Sequence, residues 1–249
     1  MSRVSEKTIA KRLTGVGLAP GLAVGTAYKV EPRTGVLYRI QILEDEVAGE
    51  LERLRQALQE SHRQLELAKR KFESEVGEEH AYIIDAHMLI LDDRQLIQEV
   101  EERIKGKLQS PERAIREASE NWLEAYRSLD DPFFQERGSD VEEVVERVVA
   151  NLMQLGSNTS SSLPEDLILV ASEVSLLLLA DFPLDRVKGL VLNKAGRTSH
   201  GIIVARSYQI PVVSGITDVE KVIRTGDILI VDGSAGTVLV HPSKSEITI

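Results

Sequence analysis

The sequence predicts an α/β domain interrupted by an inserted all-α helical bundle. Three observations carry that reading. From Gly15 to Lys29, "GVGLAPGLAVGTAYK" mixes glycine with alternating apolar residues, the composition of short strands and tight turns. Between Ile42 and Leu155 the charge density rises and the apolar period becomes helical. Beyond the polar tract "GSNTSSSLPED", strand-like runs alternate with short helical patterns, as in α/β domains. The boundaries follow: an amino-terminal extension over 1–14, the α/β domain over 15–41 and 157–249, and the helical subdomain over 42–156. An insertion into one domain requires its two ends to lie close together.

In the insertion, Leu51, Leu54, Leu58, Leu65, Ala68 and Phe72 recur at heptad-like spacing, which predicts one long amphipathic helix. A second helix is expected from Glu78 to Leu91. Ser110 and Pro111 open a third, serine as cap and proline in the first turn, carrying Ile115, Ala118, Trp122, Leu123 and Tyr126. "DDPFFQERG" reads as a break. Ser139 or Asp140 then caps a fourth helix with Val141, Val144, Val145, Val148 and Leu152 on one side. Short connections between such helices make a bundle. The polar tract that follows reads as a flexible connector. After it, "LILVAS", "GLVLN", "IPVVSG" and "GDILIVDGSAGTVLVHP" read as strands, with helices at Leu178–Asp185, Ile202–Tyr208 and Asp218–Val222 between them.

Composition narrows the function. The chain has 249 residues, 42% of them hydrophobic and 28% charged, with no apolar run near the roughly 20 residues that span a bilayer. No secretory signal is recognisable at the amino terminus. The absence of cysteine excludes disulfide and thiolate chemistry and fits a reducing, cytoplasmic setting. A net charge of −10 argues against general nucleic-acid binding and favours a basic partner.

One stretch carries the chemistry: "NKAGRTSHGIIVARS", Asn193 to Ser207. A strand ends near Leu192, Gly196 permits a turn, and Thr198 or Ser199 can cap the next helix. His200 then falls in its first turn. Amides there lack intrahelical partners, and the macrodipole adds partial positive charge. Helix starts therefore hold anions, and a phosphorylated imidazole is one. Arg197 and Arg206 offer guanidinium groups for phosphate oxygens; Thr198 and Ser199 offer hydroxyls. The alternative is that His200 merely caps the helix or packs in a loop. No second histidine stands at metal-ligand spacing, and neither a nucleophile elbow nor a P-loop is present.

"AGRTSHGIIVAR" resembles the phosphohistidine motif of phosphoenolpyruvate-utilising enzymes. "LAPGLAVGTAY", "IIDAHMLILDDRQL", "DPFFQERGSDVEEVVERV", "SYQIPVVSGI" and "GDILIVDGSAGTVLVHP" are similar, in order and spacing, to segments of the enzyme I family of the bacterial phosphotransferase system. The resemblance implies an α/β phosphohistidine swivelling domain. It also implies transfer of phosphoryl from phosphoenolpyruvate to His200, then to a histidine of the small carrier HPr that feeds sugar uptake. It implies phosphate contacts from Arg197, Thr198, Ser199, Gly201 and Arg206. The helical insertion becomes the HPr-docking subdomain, with Glu78, Glu79, Leu89, Ile90, Asp93, Leu96, Phe133, Phe134 and Arg137 facing the carrier.

The match has departures. Ala195 replaces a glycine, Gly201 stands where alanine or a small hydroxyl is usual, and Ile202 replaces a small residue; Gly201 is expected to loosen the helix start. Leu179 occupies the place of a threonine beside the histidine ring, leaving Ser175 the nearest hydroxyl. His87 reads as a core or interface histidine, and Asp232 as a turn residue. The sequence ends at Ile249, so the family's phosphoenolpyruvate-binding barrel, with its Mg²⁺, is expected only in a carboxy-terminal domain beyond it. No cofactor or metal is expected in the chain itself, and exchange with HPr is the expected half-reaction. Three other readings stand beside this one: a nitrogen-regulatory enzyme I with another carrier, the swivelling domain of a dikinase or synthase, and a non-catalytic scaffold.

Overall fold

The computed structural model describes residues 10–30, 41–75, 77–128, 132–154, 163–194 and 200–247. The chain divides into two compact units, Met1–Glu31 with Asn158–Ile249, and Pro32–Ser157. The first unit opens with three strands, β1 (Lys11–Thr14), β2 (Val16–Ala19) and β3 (Leu22–Lys29). β1 lies within the stretch read as an amino-terminal extension. Its four residues, largely exposed and pairing on one side only, lack the apolar run that marks an interior strand.

Among the described residues the regular elements of the second unit are helices, with one isolated β-bridge between Gln41 and Gln109. α1 (Val47–Glu75) spans about 44 Å and buries Leu54, Leu65, Ala68 and Phe72 of the predicted stripe. Gly77, at φ +108°, starts the reversal into α2 (Glu78–Leu91), a conformation only glycine adopts without strain. α3 (Arg94–Lys107) has no counterpart among the expected helices. The Asp93 carboxylate caps it, accepting from the Gln95 and Leu96 amides at 2.8 and 2.9 Å. Its buried residues are Leu96, Val100 and Ile104, a stripe at four-residue spacing. α4 (Pro111–Arg127) starts with proline at N1, as expected.

α5 (Pro132–Leu152) begins a full two turns earlier than the sequence reading placed it. Ser139 and Asp140 are interior to it, and Pro132 is its first residue rather than part of a break. Val141, Val144, Val145, Val148 and Leu152 are buried as predicted. A polar bridge ties α5 to α1: Asn151 Nδ2 donates to Ser61 Oγ at 2.8 Å, and Gln64 Nε2 donates to Asn151 Oδ1 at 2.9 Å.

The remaining elements complete the first unit: β4 (Leu167–Ala171), α6 (Leu176–Ala180), β5 (Val187–Leu192), α7 (His200–Ser207), β6 (Val212–Ser214), α8 (Val219–Val222), β7 (Ile228–Asp232), β8 (Thr237–Val240) and α9 (Lys244–Ile247). Eight strands form one sheet in the order β1-β8-β7-β3-β4-β5-β6-β2. The four central strands, β3 to β6, run parallel, and the flanking pairs are antiparallel. Every residue of β4 is buried, so both faces of the sheet centre are covered. Ile168 and Val170 pack with Val191, Val213, Val231, Val238, Val219 of α8 and Ile223 just after it. Between β7 and β8, Asp232 accepts from the Ser234 and Ala235 amides, the turn role read from the sequence.

Candidate functional site

The site lies past the carboxyl ends of the parallel strands, where open α/β sheets place their ligands. β5 ends at Leu192. The next residues stitch three strand ends together. The Asn193 amide donates to Ala171 O at 3.2 Å and its carbonyl accepts from the Gly215 amide at 3.1 Å, while the Lys194 amide donates to Ser172 O at 2.8 Å. Arg197, Thr198 and Ser199 lie outside the described residues.

α7 begins at His200, half-buried in the first turn. Peptide N–H groups at a helix start have no intrahelical acceptor and carry the positive end of the dipole. Arg206 in the last turn complements the opposite end. A ring that acquires a dianionic group there meets a field of the right sign.

Both ends of α7 are fixed. Gly201 is buried, and a Cβ placed on it would stand 2.9 Å from Val174 O. The missing side chain is what lets the helix start press on the segment before α6. Gly201, expected to loosen this turn, is a close-approach glycine. At the other end, Gln209 adopts φ +56°, the Ile210 amide donates to Ala205 O at 2.8 Å and the Gln209 amide to Arg206 O at 2.9 Å. That is a Schellman termination with glutamine in the left-handed position.

Arg206 is not at the helix start. Six residues from His200, about 9 Å along the axis, it sends Nε and Nη2 to Leu18 O at 2.9 and 2.7 Å. Arg206, expected to contact phosphate, thus bonds a backbone carbonyl in this structure. In α6, Ser175 is the cap, its hydroxyl accepting from the Leu178 amide at 3.0 Å, and Leu179 is fully buried core.

On the helical unit, Leu89 is 74% exposed, whereas Leu96 is 4% exposed and packs inside the bundle with Leu54, Leu91 and Val100. Leu96 cannot face a partner, which corrects its expected role. Ile90 and Asp93 are half-buried, the latter engaged as the α3 cap. Arg137 lies 3.5 Å from Asp140 Oδ2. For Glu78, Glu79, Phe133 and Phe134 the described structure extends to the helical backbone alone. The sequence reading missed Tyr82, which is 61% exposed seven residues before Leu89 and so on the same side of α2. Its signal was that seven-residue spacing. Among the described residues, no cluster of histidine, aspartate or glutamate could hold a metal ion.

Comparison with known proteins joins the two units. A family model described as "PEP-utilising enzyme, N-terminal" matches residues 14–137, and another, "PEP-utilising enzyme, mobile domain", matches residues 163–236. The fold and the matched segments together define the amino-terminal part of a phosphoenolpyruvate-utilising enzyme. The chain is 33% identical over 240 residues to the phosphoenolpyruvate-protein phosphotransferase of Listeria monocytogenes, covering 96% of this chain and 41% of that protein. For the Geobacillus stearothermophilus protein of the same name the identity is 32%, covering 96% and 40%. An NMR solution structure of Enzyme I (nEIt) superposes with a TM-score of 0.79 at 31% identity, covering 94% of this chain and 95% of that one. The N-terminal domain of Enzyme 1 - Nitrogen superposes at 0.66 with 28% identity, covering 94% and 96%. The chain belongs to the enzyme I family, the phosphoenolpyruvate-protein phosphotransferases. It spans about two fifths of the length of the curated relatives it matches.

Proposed function

We propose that His200 carries a phosphoryl group and exchanges it reversibly with a histidine of an HPr-type carrier serving sugar uptake in the cytoplasm. The observation that carries this reading is the placement of His200 as the first residue of α7, beyond the carboxyl end of β5. In the reverse direction of this exchange a ring nitrogen of His200 attacks phosphorus on the phosphorylated carrier. One P–N bond forms as the carrier's breaks, and the carrier ring leaves with the electron pair. Amides of the helix start and the neighbouring Arg197, Thr198, Ser199 and Gly201 are assigned to the phosphoryl oxygens. This step needs no metal. Loading from phosphoenolpyruvate is assigned to a carboxy-terminal domain holding Mg²⁺, as the family implies.

The docking surface is assigned to α2, where exposed Tyr82 and Leu89 stand among acidic residues. That mixture suits a carrier with a basic rim around an apolar centre. The greater likeness to Enzyme I than to the nitrogen-regulatory domain favours the sugar carrier. Among the described residues, no helix is long and apolar enough to cross a membrane.

The test is incubation with phosphorylated HPr, followed by intact-mass measurement. One acid-labile phosphoryl group on the wild type and none on His200→Ala supports the proposal. Label that persists in His200→Ala, or no label on the wild type, refutes it.

A further inference from the structure

β2 pairs with β6 in an interrupted register: Gly17 faces Val213 and Ala19 faces Val212, so Leu18 is the extra residue of a β-bulge. A carbonyl thrown out of a ladder by a bulge must find another donor. Here the donor is Arg206, whose Nε and Nη2 both reach Leu18 O, at 2.9 and 2.7 Å. These nitrogens form one edge of the guanidinium fork, an edge suited to two-point binding of a phosphate. In this structure that edge is committed to a neutral acceptor.

We propose that Arg206 is a positioning residue for His200 and not a phosphate ligand. It clamps the far end of α7 to the bulge in β2, while Gly201 seats the near end on Val174. Two separated supports define where the helix lies along its axis and how it is tilted. They therefore set the direction in which the first-turn imidazole meets an incoming phosphorus. The inference rests on the reading of His200 as the phosphoryl carrier.

Two measurements test it. The first follows the Nε–H resonance of Arg206 in the wild type before and after phosphorylation. A clamp to Leu18 O gives a proton already protected from exchange in the unphosphorylated protein and nearly unmoved once His200 is loaded. A proton that exchanges freely at first and becomes protected or shifts strongly on phosphorylation overturns the proposal. The second uses Arg206→Lys, which keeps the charge and loses the two-pronged bond. Misplacement of a reacting group by about 1 Å can cost about 100-fold. The rate constant for phosphoryl gain is therefore expected to fall about 10- to 100-fold, with KM for the phosphorylated carrier and spontaneous hydrolysis of the phosphohistidine unchanged. A variant as fast as wild type, or one whose phosphohistidine hydrolyses at an altered rate, overturns it. Absence of label on the wild type is a separate result: the carrier reading falls there and takes the positioning role with it, even where the Nε–H proton is protected.

Discussion

His87 Nδ1 donates a hydrogen bond to Ile83 O at 2.8 Å, which turns its Nε2 toward α5. There it lies 3.4 Å from Glu143 Oε2 and 3.6 Å from Asp140 Oδ1, at ion-pair rather than hydrogen-bond geometry. The ring is 1% exposed. Neither carboxylate can donate when ionised, so the arrangement favours the imidazolium. Burial opposes that charge, but Glu143 and then Asp140 outweigh it, and the pKa is raised above the ordinary imidazole value. Charged groups of α1 that meet α2 have other partners, Lys69 with Asp85 and His62 with Asp92.

A raised pKa fixes the sign of a pH effect. The stabilisation is complete below the unfolded value of about 6.5 and is lost as pH rises through the folded one. Urea unfolding followed by circular dichroism at a series of pH values is expected to show the helical unit weakening over that window. In His87→Gln the unit is expected to lose about 1–3 kcal/mol at low pH. The gap to wild type then narrows as pH rises.

Two leucines of the same segment separate packing from docking. Leu96→Ala opens a hole beside Leu54 and Val100 and is expected to cost about 2–5 kcal/mol. Leu89→Ala should change stability by less than about 0.5 kcal/mol while weakening carrier binding several-fold. Thermal unfolding and titration calorimetry read the two effects apart.

Asp93 offers a different separation. Asp93→Ala removes the α3 cap and is expected to lose about 1 kcal/mol, whereas Asp93→Asn, an equally good cap, stays within a few tenths. Loss of carrier affinity in the asparagine variant, measured at low salt, isolates the charge. Equal affinity assigns Asp93 to capping alone.

Gly201→Ala places a methyl 2.9 Å from Val174 O. Relief requires α7 or the Val174 backbone to move, and an overpacked contact of this kind costs about 1–3 kcal/mol. The expected outcome is a lower unfolding temperature together with phosphoryl gain slowed at least 10-fold. Loss of stability with full speed would show that the near end of the helix tolerates displacement.

The legible parts of the fold were those written in local sequence. The α1 stripe, Ser110–Pro111 before α4 and the strand runs around β4 to β8 each carry their signal within a few residues. α3 was missed because "RQLIQEVEERIKGK" is mostly charged, and its three buried residues are visible only once Asp93 is taken as a cap. α5 was started late because Pro132 resembles a break, although proline is tolerated in the first turn of a helix and α5 runs from Pro132. At the site, α7 (His200–Ser207) overlaps the helix read over Ile202–Tyr208 and starts two residues before it. The role of Arg206 was not readable: its acceptor is a bulge carbonyl 188 positions away, exposed by a register slip that no local pattern records.

The helical unit interrupts the chain between β3 and β4, which are parallel, hydrogen-bonded neighbours with Thr26 opposite Leu167. Parallel neighbours always need a crossover, ordinarily a dozen or so residues, and here the entire bundle occupies that link. Trading the bundle for one plain crossover helix is expected to keep every strand partner of the sheet, an outcome that circular dichroism of the shortened protein would check. On the proposed assignment of docking to the bundle and phosphoryl carriage to His200, the two roles would then be exchangeable between relatives as separate parts.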